Sequence, residues 1–224
     1  KNKEDEFYFK FKCKLMDYLK QSKCDSAQLL SIHMIDTQRL SLDSCDLDNM
    51  RTAIEITIDA FKHLCSQRMS WESETDISGV LKGYIQRRSW MGISFPPIVA
   101  SGKNACALHY KRNNMPLDQN GLLLLDFGCR YEQVVSDMSR TIPVNGQFNP
   151  LQKLLYQIVL DAQRLVEDHV VAGVSFFRLN ELCWTFIENA LRVRFLLPGG
   201  KMKRHYDIKP HNIGHLIAHH VHDG

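Results

Sequence analysis

The sequence contains no apolar run long enough to cross a lipid bilayer. Its longest runs, such as Leu122 to Leu125, fall far short of the roughly 20 residues that a membrane-spanning helix needs. A strong excess of one charge is also missing, because the 28 basic and 25 acidic residues are spread along the chain and give a formal net charge of +3. Such a pattern offers no basic stripe for a phosphate backbone. We therefore expect neither a membrane span nor a nucleic-acid partner.

The cysteines also lack any recognisable pairing pattern. There are seven of them, widely spaced and without a C-x-x-C pair, which argues against a disulfide framework and against a thiolate zinc site. A reducing compartment is favoured, so we expect a cytoplasmic location and leave a mitochondrial one open. The sequence begins with Lys1 rather than Met, and the lack of a signal peptide therefore carries little weight.

Apolar residues at helical spacing predict two pairs of helices. In the first pair, one helix covers residues 50–64 and the next, which Ser70 can cap, presents an apolar stripe from Ile77 to Ile85. In the second pair, Asn149 and a first-turn proline begin a long helix that Gly173 ends. The other helix of that pair is predicted over residues 176–193.

Strands are predicted between the two helix pairs. Residues 121–126 read as a buried strand and residues 131–144 as a second one. Helices, strands, helices and then the start of another strand group predict an α+β domain with helices on one face of a sheet, repeated twice. We assign this domain to residues 46–224 and treat residues 1–45 as a linker or a remnant of an N-terminal domain.

Two aspartates on these strands are the sharpest clue to function. If the turn between the strands is centred between Tyr131 and Glu132, position i faces position 263 minus i, and Asp126 then faces Asp137. Facing carboxylates repel unless one is protonated or a cation lies between them. A divalent metal resolves this most simply. The alternative is that Asp126 is a turn residue at a strand end and that Asp137 is solvated.

A cluster of histidines near the C-terminal end is the second clue. Neutral imidazole is a common metal ligand, and histidine is the usual proton carrier near pH 7. The i, i+4 pair of His211 and His215 lacks the adjacent glutamate of the H-E-x-x-H zinc peptidases, and Gly214 weakens a helix there. The cluster consists of His211, His215, His219, His220 and His222.

From about residue 54 onward the sequence resembles the Xaa-Pro aminopeptidases, also called aminopeptidase P, of the pita-bread metallopeptidases. The resemblance is closest in three blocks: PIVASGKNA through Leu108-His109-Tyr110, LLLLDFGCRYEQVVSDMSRTIPVNGQF, and Pro210-His211 through His222-Asp223. It implies a curved antiparallel sheet with helices on one face. It also implies hydrolysis of the bond between an N-terminal residue and a following proline, so the expected partners are peptides with proline at the second position.

The resemblance further implies a ligand set for two divalent metal ions, usually manganese. Asp126 resembles a terminal ligand, Asp137 a carboxylate that bridges both metals, and His215 the histidine ligand of one metal. Carboxylate oxygens with a single imidazole suit manganese. The two metals would share a hydroxide that attacks the scissile carbonyl, and one of them would polarise its oxygen.

Three other histidines match roles in substrate handling. His109 and His211 resemble residues that line the substrate pocket and hold polar groups of the substrate, and His211 is also expected to assist proton movement. His222 resembles the histidine that hydrogen-bonds the scissile carbonyl region and the developing tetrahedral intermediate.

The sequence departs from the family pattern in two places. Ile217-Ala218 and His219-His220 stand where other residues are usual, which affects the pocket for the N-terminal residue. The two glutamate ligands of the family lie downstream of the last block, and the sequence ends at Gly224. We therefore expect the C-terminal part of the fold to be missing, and a chain of this length to be inactive and to bind metal weakly. Rival interpretations are an Xaa-Pro dipeptidase or creatinase-like hydrolase, or a non-catalytic binding module on the same fold; a homo-oligomer stays open.

Overall fold

The structure is a computed structural model, and it describes residues 41–67, 71–194 and 211–223. These residues belong to one compact unit, residues 39–224. The expectation that residues 1–45 are a linker or a remnant of an N-terminal domain lies largely outside the described residues, because these begin at residue 41. No helix in the described ranges is long and apolar enough to cross a membrane.

The first helix pair forms as predicted, with one different cap. Helix α1 spans Ser44–Ser66 and helix α2 spans Glu74–Gln86. Ser70 lies outside the described residues and was the wrong choice of cap, because Ser73 caps α2 in a reciprocal capping box with Asp76. The apolar stripe of α2 is buried in the main hydrophobic core, where it packs with residues of α1 and of the sheet.

A three-stranded antiparallel sheet lies beside these helices. Its strands are β1 (Ile98–Ser101), β2 (Leu122–Phe127) and β5 (Met138–Pro143), in the order β1-β2-β5. The predicted single strand over residues 131–144 is instead divided, because a short hairpin of β3 (Arg130–Tyr131) and β4 (Val134–Val135) forms its first part. A 3-10 helix, Gly102–Cys106, follows β1.

The second helix pair consists of α3 (Pro150–Glu167) and α4 (Phe176–Val193). Asn149 caps α3 as predicted, in a capping box with Gln152. The predicted end at Gly173 was wrong, because α3 ends at Glu167 and Gly173 adopts a φ of 88° in the turn before α4. The apolar face of α3 is only partly covered by the described residues, which leave Leu151 exposed and bury Ile158.

Gly128 sits where the chain passes from β2 into the hairpin, at a point of very close packing. A Cβ atom built there would overlap the backbone oxygen of Ser136 and the hydroxyl of Ser94. These two groups are themselves joined, since the Ser94 hydroxyl donates to the Ser136 carbonyl oxygen at 2.9 Å. Only a residue without a side chain allows this approach.

We expect Gly128→Ala to destabilise the fold by about 1–3 kcal/mol, the usual effect of overpacking a filled site. Urea unfolding monitored by circular dichroism measures this. The matched control is Gly79→Ala in α2. A Cβ atom at Gly79 meets nothing within 4 Å, and alanine stabilises an exposed helix position relative to glycine by up to about 1 kcal/mol. Equal unfolding midpoints for the two variants would contradict the packing described at Gly128.

Candidate metal centre

Asp126 and Asp137 come together, although not in the register that the sequence suggested. Asp126 lies opposite Ser139, and Asp137 directly precedes β5. The turn is centred between Glu132 and Gln133, with Glu132 at a φ of 48°, so position i faces position 265 minus i. The predicted direct facing was therefore wrong by two residues. Because side chains alternate sides with a period of two, this shift keeps both carboxyl groups on one face.

The carboxyl group of Asp137 lies close enough to Asp126 to disfavour the ionised form of Asp126. Burial and the charge of Asp137 raise the pKa of Asp126 to about 6. Two groups act in the opposite direction and lower this pKa: the Ser139 hydroxyl, which donates to Oδ1 of Asp126 at 3.0 Å, and the nearby His109. The environment of Asp126 therefore opposes its ionisation.

The imidazole of His215 contacts the second carboxylate. Its Nε2 lies 3.4 Å from Oδ2 of Asp137. The ring of His222 packs edge-on against the ring of His215, with centroids 4.3 Å apart. His215 thus lies at the carboxylate of Asp137, and His222 lies against His215.

The segment that carries these histidines is held by its own backbone contacts. The buried carboxylate of Asp223 accepts hydrogen bonds from the amides of His219 and His220, at 2.9 and 3.1 Å. The amide of Val135 in β4 donates to the carbonyl oxygen of Ala218 at 2.9 Å. These contacts form a tight turn between His215 and His222 and fasten it to the hairpin.

The remaining two predicted site histidines differ in their placement. His109 is exposed, follows the 3-10 helix, and has a φ of 52°, which is unusual for a residue with a side chain. His109 is close enough to Asp126 to lower the pKa of that carboxyl group. His211 is exposed and its Nδ1 bonds the carbonyl oxygen of Asn212. Within the described part of the chain, no ion pair joins His211 to the aspartates.

The donor set fits part of a metal centre. Two half-buried carboxylates and one imidazole are the oxygen-rich donors that manganese and similar cations take. In residues 41–67, 71–194 and 211–223, no group of three such side chains is arranged around a common point. Of the three proposed ligands, His215 contacts Asp137, and Asp137 in turn acts on the pKa of Asp126.

Several residues that support this site were missed by the sequence reasoning. Ser139 and Asp223 are polar residues close in sequence to predicted site residues, and this proximity is their only signal in the sequence. Ser136 is buried, accepts the amide of Cys129 at 3.0 Å and bonds Thr57 of α1 at 2.6 Å. It fixes the backbone next to Asp137. Glu74 is fully buried and binds the segment that carries His109, and nothing in the periodicity indicated it.

Comparison with known proteins gives a consistent family. Residues 48–224 match the sequence profile of metallopeptidase family M24. An Xaa-Pro aminopeptidase of Haemophilus influenzae is 31% identical over 199 residues, which is 85% of this chain and 45% of that relative. The chain thus spans about half the length of the curated relatives it matches.

Solved structures agree with this result. Aminopeptidase PepP of Pseudomonas aeruginosa has a TM-score of 0.80 at 28% identity, covering 96% of this chain and 51% of that one. An Xaa-Pro dipeptidase of Bacillus anthracis has a TM-score of 0.72 at 26% identity, covering 85% of this chain and 50% of that one. The expected pita-bread fold is confirmed by such neighbours. The chain belongs to metallopeptidase family M24.

Proposed function

We propose that this chain forms part of an aminopeptidase that removes the N-terminal residue in front of proline, with two divalent metal ions, most suitably manganese. The observation that carries the proposal is the meeting of Asp126, Asp137 and His215 with His222 and His109. These residues come from three separate segments. A pair of neighbouring carboxylates beside two imidazoles that meet edge-on has no evident use in stabilising the fold, since repelling charges destabilise it.

Asp126, Asp137 and His215 would hold the metals. When bound, two divalent cations supply an activated water and polarise a carbonyl oxygen. The chain's own contribution is to set the positions and charges of these donors. The Ser139 hydroxyl, bonded to Oδ1 of Asp126 at 3.0 Å, leaves the other oxygen of that carboxylate for a different partner.

The histidines would handle the peptide. His222, whose ring lies against that of His215, would donate a hydrogen bond to the scissile carbonyl region and to the charge that develops there. His109, on the exposed segment near Asp126, would bind a polar group of the substrate. His211 would line the outer part of the pocket and assist proton movement.

A second candidate is an Xaa-Pro dipeptidase, because one structural neighbour carries that activity in its name. The two functions differ in the length of the substrate. A dipeptidase needs the free carboxylate that directly follows proline, whereas an aminopeptidase accepts a chain that continues.

The test uses the complete gene product that contains this sequence, with added Mn²⁺. We expect cleavage of Xaa-Pro-Xaa tripeptides and longer Xaa-Pro peptides, and loss of cleavage after metal removal with a chelator and its return with Mn²⁺. Peptides with alanine in place of proline are the matched control and should be cleaved far less.

Three results would contradict the proposal. Cleavage restricted to Xaa-Pro dipeptides would assign the dipeptidase function. Equal cleavage of the alanine peptides would remove the proline specificity. Stoichiometric Mn²⁺ binding without cleavage of any of these peptides, or no binding at all, would favour a non-catalytic binding module.

A further inference from the structure

Glu74 is a fully buried carboxylate in the first turn of α2, far along the chain from the candidate metal ligands. Its side chain is 0% exposed. No ion pair with a basic residue is found for it among the described residues. Burial raises the pKa of Glu74, but hydrogen bonds from four neighbouring groups outweigh this and lower it below its ordinary value. The group is therefore held as a charged acceptor by neutral donors alone.

All four donors come from one stretch of chain, residues 101–115. Oε1 accepts from the amide of Ser101 at 2.9 Å and from Nδ2 of Asn104 at 2.8 Å. Oε2 accepts from the phenol of Tyr110 at 2.8 Å and from the amide of Met115 at 3.1 Å. The carboxylate thus gathers the start, the middle and the end of this stretch at one point.

This stretch is the one that presents His109. The residue next to it, Tyr110, is one of the four donors, and His109 itself is held at a φ of 52°. A non-glycine residue keeps such a conformation only when its surroundings enforce it. Because the imidazole of His109 is exposed and forms no hydrogen bond with the other described residues, its position depends on how the stretch is held.

We propose that Glu74 is a positioning residue that holds the stretch carrying His109 in place and so tunes peptide binding. This inference rests on the proposed function. A carboxylate is required because two donors bond each oxygen, and two of the four are backbone amides that cannot reverse their direction. The isosteric amide of glutamine would turn an NH₂ group toward one of these amides and leave donors unpaired.

Residues 101–115 have other anchors, so a Glu74→Gln variant should still fold. The side chain of Asn113 bonds the amide of Val99 at 2.9 Å and the carbonyl oxygen of Pro97 at 2.6 Å. The Thr75 hydroxyl donates to the Asn113 carbonyl oxygen at 2.8 Å. Loss of the Glu74 contacts therefore loosens the His109 region without releasing the end near β1.

The kinetic experiment compares Glu74→Gln with the wild-type complete gene product, on an Xaa-Pro tripeptide with Mn²⁺. We expect KM to rise about tenfold, the order of effect of a small misplacement of a binding group, with metal content unchanged. In a His109→Ala background the same substitution should raise KM no further. Glu72→Gln, an exposed carboxylate two residues earlier, and Ile77→Val, a buried apolar change in α2, are the controls and should leave KM unchanged.

A purely structural role gives a different pattern. It would lower the amount of folded enzyme and leave KM as it is, or raise KM equally in the wild-type and His109→Ala backgrounds. Either result would overturn the proposal.

A spectroscopic measurement separates this inference from the proposed function. In proton NMR spectra, the Hε1 signal of His109 is assigned by its absence in His109→Ala. This signal should shift when Asp126→Asn is introduced into the wild type, and should shift much less when Asp126→Asn is introduced into Glu74→Gln. If the wild type cleaves no Xaa-Pro peptide but this difference is seen, the proposed function fails and the positioning role stands. An equal shift in both backgrounds overturns the positioning role whatever the activity.

Discussion

Replacing Asp126 with asparagine should abolish peptidase activity and weaken metal binding while making the metal-free protein more stable above pH 6. The amide keeps the shape of the carboxyl group but lacks the charge that a divalent cation requires. Loss of one ligand withdraws several kcal/mol of transition-state stabilisation, so we expect kcat/KM to fall by at least about 1,000-fold. Peptide hydrolysis and calorimetric titration with Mn²⁺ measure the two effects.

Although Asp126→Asn loses activity, the metal-free variant should gain stability, because the folded state disfavours the ionised form of Asp126. Its pKa is raised by burial and by Asp137 to about 6, above the roughly 3.9 of an unfolded chain. Below about pH 4 the group is protonated in both states and has no effect. As the pH rises toward 6 the unfolded state gains stability by ionising first, so the folded state loses stability; above pH 6 the loss is complete.

The size of this effect is modest because the group is only half-buried. With solvent screening we expect about 1 kcal/mol, measured as the difference in unfolding free energy between wild type and Asp126→Asn in chelator at pH 4 and pH 8. The control is Asp168→Asn, an exposed carboxyl group at the end of α3, which should leave activity and metal binding unchanged. An Asp126→Asn variant that keeps its activity would rule out Asp126 as a ligand.

Replacing His222 with alanine should lower kcat by roughly 100-fold to 1,000-fold, the usual effect of removing one donor to developing negative charge. Metal content should stay unchanged, because the ring of His222 contacts His215 and is not itself among the proposed ligands. His222→Gln restores a donor and should recover part of the rate. Peptide hydrolysis assays at saturating peptide concentration measure kcat, and metal analysis of each variant measures its metal content.

His220→Ala is the matched control on the same segment. Its side chain is exposed, and its described tie is the backbone amide to Asp223, which alanine keeps. We expect wild-type kcat for it. A fall in metal content that parallels the fall in kcat for His222→Ala would instead assign His222 a ligand role.

Local features of the fold were predictable from the sequence because they depend on nearby residues. The helix pairs follow from apolar spacing, and the cap at Asn149 follows from its own side chain and Gln152. The choice of Ser70 as a cap failed because Ser73 has a reciprocal partner in Asp76. The helix end at Gly173 failed because a glycine with positive φ serves the following turn as well as a helix end.

The sequence by itself predicted that Asp126 and Asp137 lie on the same side, and this survived a register shift because side chains alternate sides with a period of two. Their pairing was decided only by the tertiary structure, because the centre of the turn depends on Glu132 adopting positive φ. The same holds for the approach of His215 and His222 to Asp137, which needs Asp223 and β4 to fold the last segment back. Glu74 is the extreme case: its four donors lie up to 41 positions away, and a buried charge acquires its partners only when distant segments meet.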